Sequence, residues 1–237
     1  MKNRLLISIL IITLNINAQE NKTTFGLQYK PIIPSKYFNS SHINKNLNNY
    51  NLALKPEYSN KFGMIIRHRI NKTFSMESGL NYTQRNYQLS IKNNILNLSD
   101  FTVFGIRSYE IPVQILTYVR ATKKWYLNVA FGLSQNILAS DVKSYGEKNE
   151  SYFQNTYRKS SGYRALLANI GMEYRTELSG DYYIGASLHM PWSEIGRIYP
   201  EYKGEGSSFN DVDFNDQIFL EITGNFITID LRYFFKN

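Results

Sequence analysis

The sequence has no cysteine and only 6 prolines among its 237 residues. Without cysteine no disulfide can stabilise the fold, so backbone hydrogen bonds and packing must do so. After the N-terminus there is no run of about 18 uncharged apolar residues, which excludes transmembrane helices from the remaining chain. Long basic runs are absent too, so the net charge of +8 does not indicate a nucleic-acid partner.

The N-terminus has the three parts of a signal peptide. Lys2 and Arg4 supply a basic start, residues 5–14 are apolar, and Ala18 is a small residue suited to cleavage. The apolar part is too short to span a bilayer. We therefore expect residues 1–18 to be a cleaved signal peptide and residues 19–237 to form one exported domain.

Aromatic residues are abundant, and the chain alternates between unlike residues with a period of two. In WYLNVAFGLSQ, residues 125–135, large apolar residues occupy the odd positions and small or polar residues the even ones. This period is typical of a β-strand with two different faces. The same pattern predicts eight strands, at residues 25–29, 62–68, 74–83, 110–119, 125–135, 166–175, 182–190 and 227–236.

Short and long connections between these strands alternate along the chain. The short ones are residues 71–72, 121–124 and 179–181. The long ones are residues 31–60, 90–105, 139–162 and 191–216, and their polar composition predicts solvated loops. In an up-and-down barrel this order places every short turn at one rim and every long loop at the other, as in outer-membrane barrels.

The polar faces of the strands carry charged and amide groups that a soluble core would not tolerate. Turned inward in a narrow barrel, they can pair with one another while the apolar faces meet lipid. The sequence thus predicts an all-β, eight-stranded antiparallel up-and-down transmembrane β-barrel. Its predicted polar interior contains Gln28, Lys30, Arg67, Arg69, Glu77, Glu110, Gln114, Glu173, Arg175, Asp230 and Arg232.

Aromatic residues cluster beside the short turns and the C-terminus, where a membrane barrel has an aromatic girdle. The predicted girdle consists of Trp125, Tyr126, Tyr182, Tyr183, Tyr233 and Phe235.

Two segments resemble the PorT-type outer membrane β-barrel domain family. In FSMESGLNYTQRNYQLSI the matching residues are Gly79, Leu80, Tyr82 and Arg85. In YEIPVQILTYV they are Tyr109, Glu110, Ile111, Pro112 and Val113. The resemblance covers most of residues 20–237 and implies an eight-stranded barrel related in architecture to the small OmpA and OmpX type. It implies no activity.

Two further sets of residues are candidate functional sites. His189, Ser193 and Glu194 contain the groups of a lipid hydrolase, but in a strand His189 and Ser193 lie about 13 Å apart. Asp211, Asp213, Asn215 and Asp216 resemble the start of a calcium loop without its glycine. A solvated acidic loop is the better interpretation of this second set.

The sequence therefore predicts a non-enzymatic barrel in the outer membrane of a Gram-negative bacterium, with no cofactor or metal. Its expected partners are outer-membrane lipid, the barrel-assembly machinery, and an envelope or surface partner bound through the long loops. A rim-site lipid hydrolase and a narrow channel for small solutes remain the alternatives.

Overall fold

The structure is a computed structural model that describes residues 23–35, 43–47, 50–93, 95, 97–148, 152–202 and 219–236. The predicted signal peptide lies outside these residues. No helix in the described part of the chain is long and apolar enough to span a membrane. The described ranges contain strands β1 (Thr23–Ile33), β2 (Ile43–Leu47), β3 (Tyr50–Pro56), β4 (Ser59–Arg69), β5 (Phe74–Asn93), β6 (Leu98–Arg120), β7 (Trp125–Leu138), β8 (Val142–Tyr145), β9 (Tyr152–Arg158), β10 (Gly162–Arg175), β11 (Asp181–Pro191), β12 (Gly196–Tyr202), β13 (Leu220–Ile222) and β14 (Phe226–Phe234).

Eight of these strands form a closed antiparallel ring. The order is β1, β4, β5, β6, β7, β10, β11 and β14, and β14 pairs with β1 to close it. Each ring strand is hydrogen-bonded to the next ring strand along the chain, which is an up-and-down order. These eight strands occupy the eight stretches predicted from the period-two alternation.

The register of the ring fixes its width. A row of paired residues that starts at Trp125 on β7 returns to β7 at Gln135, ten residues further along. Eight strands with this stagger tilt by ~40° and enclose a space that side chains fill. The row runs through Trp125, Tyr174, Tyr182, Tyr233, Leu27, Met64, Leu80, Ile111 and Gln135.

The long connections are not the irregular loops that their polar composition predicted. β5 and β6 contain 20 and 23 residues and run as one hairpin through most of residues 90–105, predicted to be a loop. The other three connections contain β2 and β3, β8 and β9, and β12 and β13. The prediction was wrong because only one face of these strands is polar, and the other face is buried.

We call the part beyond the ring the cap. It consists of β2, β3, residues 85–93 of β5, residues 98–107 of β6, and a second sheet in the order β13, β12, β9, β8. An apolar core joins its two sheets. The core contains Tyr50, Leu52, Leu54, Tyr87, Leu89, Ile91, Phe104, Ile106, Leu138, Tyr152, Tyr163, Ala165, Ile195, Ile198, Leu220 and Ile222.

Both side edges of the cap are tied together by hydrogen bonds. Thr102 Oγ1 of β6 donates to Ser144 Oγ of β8 at 2.7 Å, and Lys45 Nζ of β2 donates to the Phe219 carbonyl beside β13 at 3.3 Å. Burial, with the Asp100 carboxylate nearby, raises the pKa of the Tyr152 hydroxyl well above its usual value. The Tyr152 side chain is fully buried in the apolar core of the cap.

The opposite end of the ring is closed by short turns that side chains stabilise. Asn71 Oδ1 accepts hydrogen bonds from the backbone N–H groups of Thr73 and Phe74, both at 2.8 Å. The turn between β10 and β11 needs Gly180, whose φ of +92° is strained for other residues. We call this end the short-turn rim.

Candidate functional site

The outer wall of the ring is apolar on every strand. On β7, Trp125, Leu127, Val129, Phe131 and Leu133 point outward and are 39–61% exposed. Soluble monomers rarely expose contiguous apolar patches larger than a few hundred Å². The other outward residues include Phe25, Leu27, Tyr29, Phe62, Met64, Ile66, Phe74, Met76, Leu80, Tyr109, Ile111, Val113, Ile115, Val119, Ile170, Met172, Tyr182, Ile184, Met190, Ile229, Leu231 and Phe235.

The two faces of β5 exchange character where the strand leaves the ring. Below the boundary the outward residues Phe74, Met76, Leu80 and Tyr82 are apolar or aromatic; above it they are Gln84, Asn86, Gln88, Ser90 and Lys92. The inward face changes in the opposite sense, from the polar Ser75, Glu77, Asn81 and Thr83 of the ring to Tyr87, Leu89 and Ile91 of the cap, with Arg85 as the first inward residue of the cap. The pairing of β5 with β6 continues without interruption across this point. The exchange therefore reflects a change in what surrounds the strand and not a change in its register.

The inward face of β6 shows the same exchange at the same level. Its inward residues Phe104 and Ile106 belong to the cap core, and the next inward residues, Ser108 and Glu110, are polar and fully buried. Outside, Arg107 is followed by Tyr109. The boundary between the ring and the cap therefore crosses neighbouring strands at matched positions.

Aromatic side chains form two rows on the outer wall. At the cap boundary Phe62, Tyr82 and Tyr109 are paired across β4, β5 and β6, with ring centroids 5.1 and 5.8 Å apart. Sequence reasoning missed this row, although the period-two pattern of each strand placed these residues outward. The rows mark two levels, one at each end of the ring.

The second row lies near the short-turn rim. Trp125 and Tyr174 have ring centroids 4.9 Å apart, and Tyr182 and Tyr233 5.1 Å apart. Phe235 lies 5.2 Å from Tyr233 and is exposed. Four members of the predicted girdle, namely Trp125, Tyr182, Tyr233 and Phe235, thus lie on the outer wall.

Tyr126 and Tyr183, also predicted to belong to the girdle, point into the ring instead. Tyr126 packs beside Tyr118, and the Arg175 guanidinium lies 3.9 Å from the centre of its ring. Tyr183 is 3% exposed and donates a hydrogen bond to Asn169 Oδ1 at 2.7 Å. The prediction failed because Tyr126 and Tyr183 follow outward-facing neighbours, and adjacent residues of a strand face opposite sides.

Inside the ring, buried charges of opposite sign alternate in one connected chain. Asp230 is held by Lys30 and Arg232, each at 2.7 Å. Arg232 also reaches Glu77 at 2.8 Å, so one carboxylate is joined to the next through a shared cation. We call this chain the ion-pair ladder.

The ladder continues towards the short-turn rim. Arg67 bridges Glu77 at 2.7 Å and Glu173 at 2.5 Å, and its guanidinium lies 3.6 Å from the ring centre of Phe234. Arg175, at the end of β10, pairs with Glu173 at 2.7 Å. Paired in this way, the charges avoid the large cost of isolated burial.

A second polar cluster lies beside the ladder on the cap side. Glu110 pairs with Lys61 and accepts a hydrogen bond from Asn81 Nδ2 at 3.0 Å. Gln28 Nε2 donates to Asn81 Oδ1 at 2.5 Å, and His189 Nε2 lies 3.7 Å from Glu110. Sequence reasoning missed Lys61, although it lies six residues before Arg67 and therefore on the same face of β4.

Two residues predicted for the interior do not join these pairs. Arg69 is exposed at the end of β4, because the strand ends there and its side chain reaches the solvent beyond the short-turn rim. Gln114 is buried inside, but it makes no ion pair or hydrogen bond that involves its side-chain oxygen.

Little free volume remains around the second cluster. The cavity beside Lys61, Glu110 and His189 measures about 20 Å³, which is enough for one water. Above it, the cap core covers that end of the ring. Around this cluster the ring interior is therefore filled by side chains.

The candidate hydrolase residues, His189, Ser193 and Glu194, do not form a site. The His189 ring is 2% exposed and stacks on Phe226, with centroids 4.3 Å apart. Ser193 lies exposed after the end of β11, whereas His189 is buried inside the ring. Within the described ranges no cluster of three potential metal ligands occurs, and the predicted calcium loop, residues 211–216, lies outside them.

No protein-family model matches this sequence, and no curated protein matches it. Several solved structures are similar, and three of them are named here. They are the outer membrane protease OmpT from Escherichia coli (TM-score 0.41, 11% identity, 90% of this chain and 96% of that one), the translocator domain of the autotransporter NalP from Neisseria meningitidis (0.35, 9%, 100% and 96%), and an outer membrane channel from Pseudomonas putida F1 (0.29, 10%, 93% and 97%). All three are outer-membrane proteins, but likeness at this level carries no activity over to this chain.

Proposed function

We propose that this protein is an integral outer-membrane β-barrel of the PorT-type domain family, without enzymatic activity, that holds a folded cap at the cell surface. The cap replaces the loops as the element that meets an envelope or surface partner. The matching residues Leu80 and Tyr82 on β5 and Tyr109 and Ile111 on β6 lie on adjacent paired strands, which supports the family assignment.

The exchange of faces along β5 carries the proposal. A strand whose outward residues are apolar and whose inward residues are charged fits a wall between lipid and a polar interior. The same strand with outward Gln88 and Lys92 and inward Leu89 fits a wall between water and a protein core. A single strand that shows the first pattern and then the second leaves the membrane at the point of exchange.

The height of the apolar wall supports the same conclusion. Ten residues of a strand, at ~3.3 Å each and tilted by ~40°, rise by about 25 Å. Outer-membrane barrels have an apolar band of about this height between two aromatic girdles. The rows of Tyr82 and Trp125 lie at the two ends of the wall, where such girdles belong.

The absence of cysteine allows a direct test by single-cysteine labelling in cells. Leu80→Cys and Lys92→Cys lie on the same face of β5, below and above the boundary, and Lys124→Cys lies on the short-turn rim. With a membrane-impermeant maleimide, we expect Lys92→Cys to be labelled in intact cells. Lys124→Cys should be labelled only after the outer membrane is permeabilised. Leu80→Cys should not be labelled until the protein is denatured.

Fractionation and gel migration complete the test. A folded barrel should be recovered in the outer membrane and should change its migration on SDS gels after boiling. Recovery as a soluble periplasmic protein, or rapid labelling of Leu80→Cys, would overturn the proposal.

A further inference from the structure

The short-turn rim carries exposed charges of almost one sign. Among the described residues it has one exposed acid, Glu177, and one half-buried acid, Asp181. We call its exposed basic residues the rim cations, and none of them makes an ion pair within the described residues. They are Arg69, Lys72, Arg120, Lys123, Lys124 and Lys236.

Some exposed cations of the cap, by contrast, have an acidic partner. Lys159 pairs with Glu194 at 3.3 Å, and Arg158 pairs with Asp141 at 3.2 Å. Among the described residues, exposed carboxylates lie beside some cap cations, but only one lies on the rim. The rim therefore retains an unbalanced positive field.

An apolar groove lies on the outer wall directly above part of this rim. Its volume is about 540 Å³, within the range of ligand sites. Lys124 lies next to the groove, because it precedes Trp125, which lines the groove. Its carbonyl also accepts a hydrogen bond at 2.9 Å from the backbone N–H of Arg175, which follows the lining residue Tyr174. The groove is lined by Leu27, Trp125, Met172, Tyr174, Tyr182 and Tyr233, among others.

We propose that the short-turn rim binds anionic phospholipid, with an acyl chain in this groove and the headgroup phosphate on the rim cations, Lys123 and Lys124 foremost. The inference rests on the proposed membrane insertion. Cations beside a lipid-exposed apolar wall attract anionic headgroups, each contributing several-fold to the affinity.

The arrangement of the cations favours lipid over an acidic protein. They occupy two separate turns and the C-terminus, so they are spread along the rim, except at the turn between β10 and β11, and do not form one compact patch. Each group also lies within two residues of an outward apolar or aromatic side chain, such as Val119, Trp125 or Phe235. A ring of headgroups has this geometry, whereas a protein partner needs a contiguous surface.

The test uses the full mature chain folded into detergent micelles and checked first for its migration change on heating. Phosphatidylglycerol, phosphatidylethanolamine and phosphatidylcholine are then titrated separately, and bound lipid is counted by native mass spectrometry. The variant is Lys72→Gln with Lys123→Gln and Lys124→Gln. The matched control removes three exposed cap cations, by Lys55→Gln, Lys92→Gln and Arg107→Gln.

We expect the wild type and the control to prefer phosphatidylglycerol, and the rim variant to lose on the order of 10- to 100-fold in that affinity. Salt at 0.5 M should weaken the preference because exposed charges are screened. Equal binding of all three lipids, or an unchanged rim variant, would overturn this inference. Failure of the wild type to fold in micelles or bilayers would instead overturn the proposed function.

Discussion

At the scale of single residues, the interior is organised by carboxylates that each serve two cations. Glu77 lies between Arg67 and Arg232, and Asp230 lies between Arg232 and Lys30. All of these side chains are at most 5% exposed. Removing one carboxylate therefore leaves two buried cations short of a partner, which is a larger loss than breaking one surface pair.

The first prediction concerns Glu77→Gln. Because it leaves Arg67 and Arg232 undercompensated in a buried site, it should lower the free energy of unfolding by ~3–5 kcal/mol. Urea unfolding in lipid vesicles, followed by tryptophan fluorescence, measures the change.

Glu177→Gln is the control for Glu77→Gln, since it removes the same group from the exposed rim and should change stability by less than ~0.5 kcal/mol. If both substitutions had equally small effects, the ladder would not be a stabilising feature of the interior.

A second prediction concerns two paired glycines that make room for an interior ring. A Cβ on either Gly171 or Gly185 would lie 2.2 Å from the hydroxyl of Tyr183. Gly185→Val should therefore displace Tyr183, break its hydrogen bond to Asn169 and destabilise the ring by ~1–3 kcal/mol.

Combining Gly185→Val with Tyr183→Ala tests this explanation. The smaller side chain should relieve the clash with Tyr183 but not the 2.5 Å approach of the same Cβ to the Ile170 carbonyl. The double variant should therefore recover part of the loss and be more stable than the sum of the two single effects. Additive effects, measured by the same unfolding method, would contradict it.

At the scale of elements, β5 shows that one strand can obey two patterns. The outward face changes from Leu80 and Tyr82 to Gln84 and Gln88, while the pairing with β6 continues. The strand therefore contributes to both the ring and the cap. Substitutions with the same chemistry should have different costs on the two sides of the exchange.

The third prediction is a matched pair on this outward face. Leu80→Arg places a charge against the lipid and should cost ~2 kcal/mol, since the penalty is greatest at the bilayer midplane and falls towards the interface. Ser90→Arg places the same charge in water and should cost less than ~0.5 kcal/mol. Equal costs, measured as unfolding free energies in vesicles, would mean that the exchange is not a membrane boundary.

The same strand explains what could be predicted from the sequence. Period-two alternation in residues 74–83 and 125–135 located the ring strands and the interior position of Glu77, because a strand facing two media must alternate. The prediction of a loop at residues 90–105 was wrong because many outward residues there, such as Ser90, Lys92 and Ser99, are polar, as in a loop. The apolar partners of Leu89 and Ile91 lie on other strands, such as β3 and β9. Contacts between distant segments are not visible in local composition.

Arg69 and Tyr126 show a finer limit of sequence reasoning. Alternation gives the face of a residue but not its height, so Arg69 was placed inside although it extends past the rim. Tyr126 was predicted to belong to the girdle because it lies beside a short turn, although its even position in the alternating pattern of β7 places it on the inward face. Applying the parity rule throughout would have placed Tyr126 inside and Lys61 in the polar cluster.

At the scale of the whole molecule, the ring is sealed twice along its axis. The ion-pair ladder fills the middle of the interior, and the apolar cap core covers the end opposite the short-turn rim. The two seals rest on different interactions, one electrostatic and one hydrophobic. Weakening one should therefore leave the other in place.

The last prediction follows from this double seal and addresses the channel alternative. In planar bilayers the wild type should show no conductance above the bare lipid. Arg67→Ala with Arg232→Ala opens space in the ladder but leaves Leu89, Ile91 and Phe104 packed in the cap, so it should remain silent as well. The same double substitution in a chain whose cap core is also disrupted by Leu89→Asp should give conductance steps. Steps from the wild type would show that water passes through the interior despite both seals. A silent triple variant that still migrates as a folded barrel would mean that other interior side chains, and not these two seals, hold the interior closed.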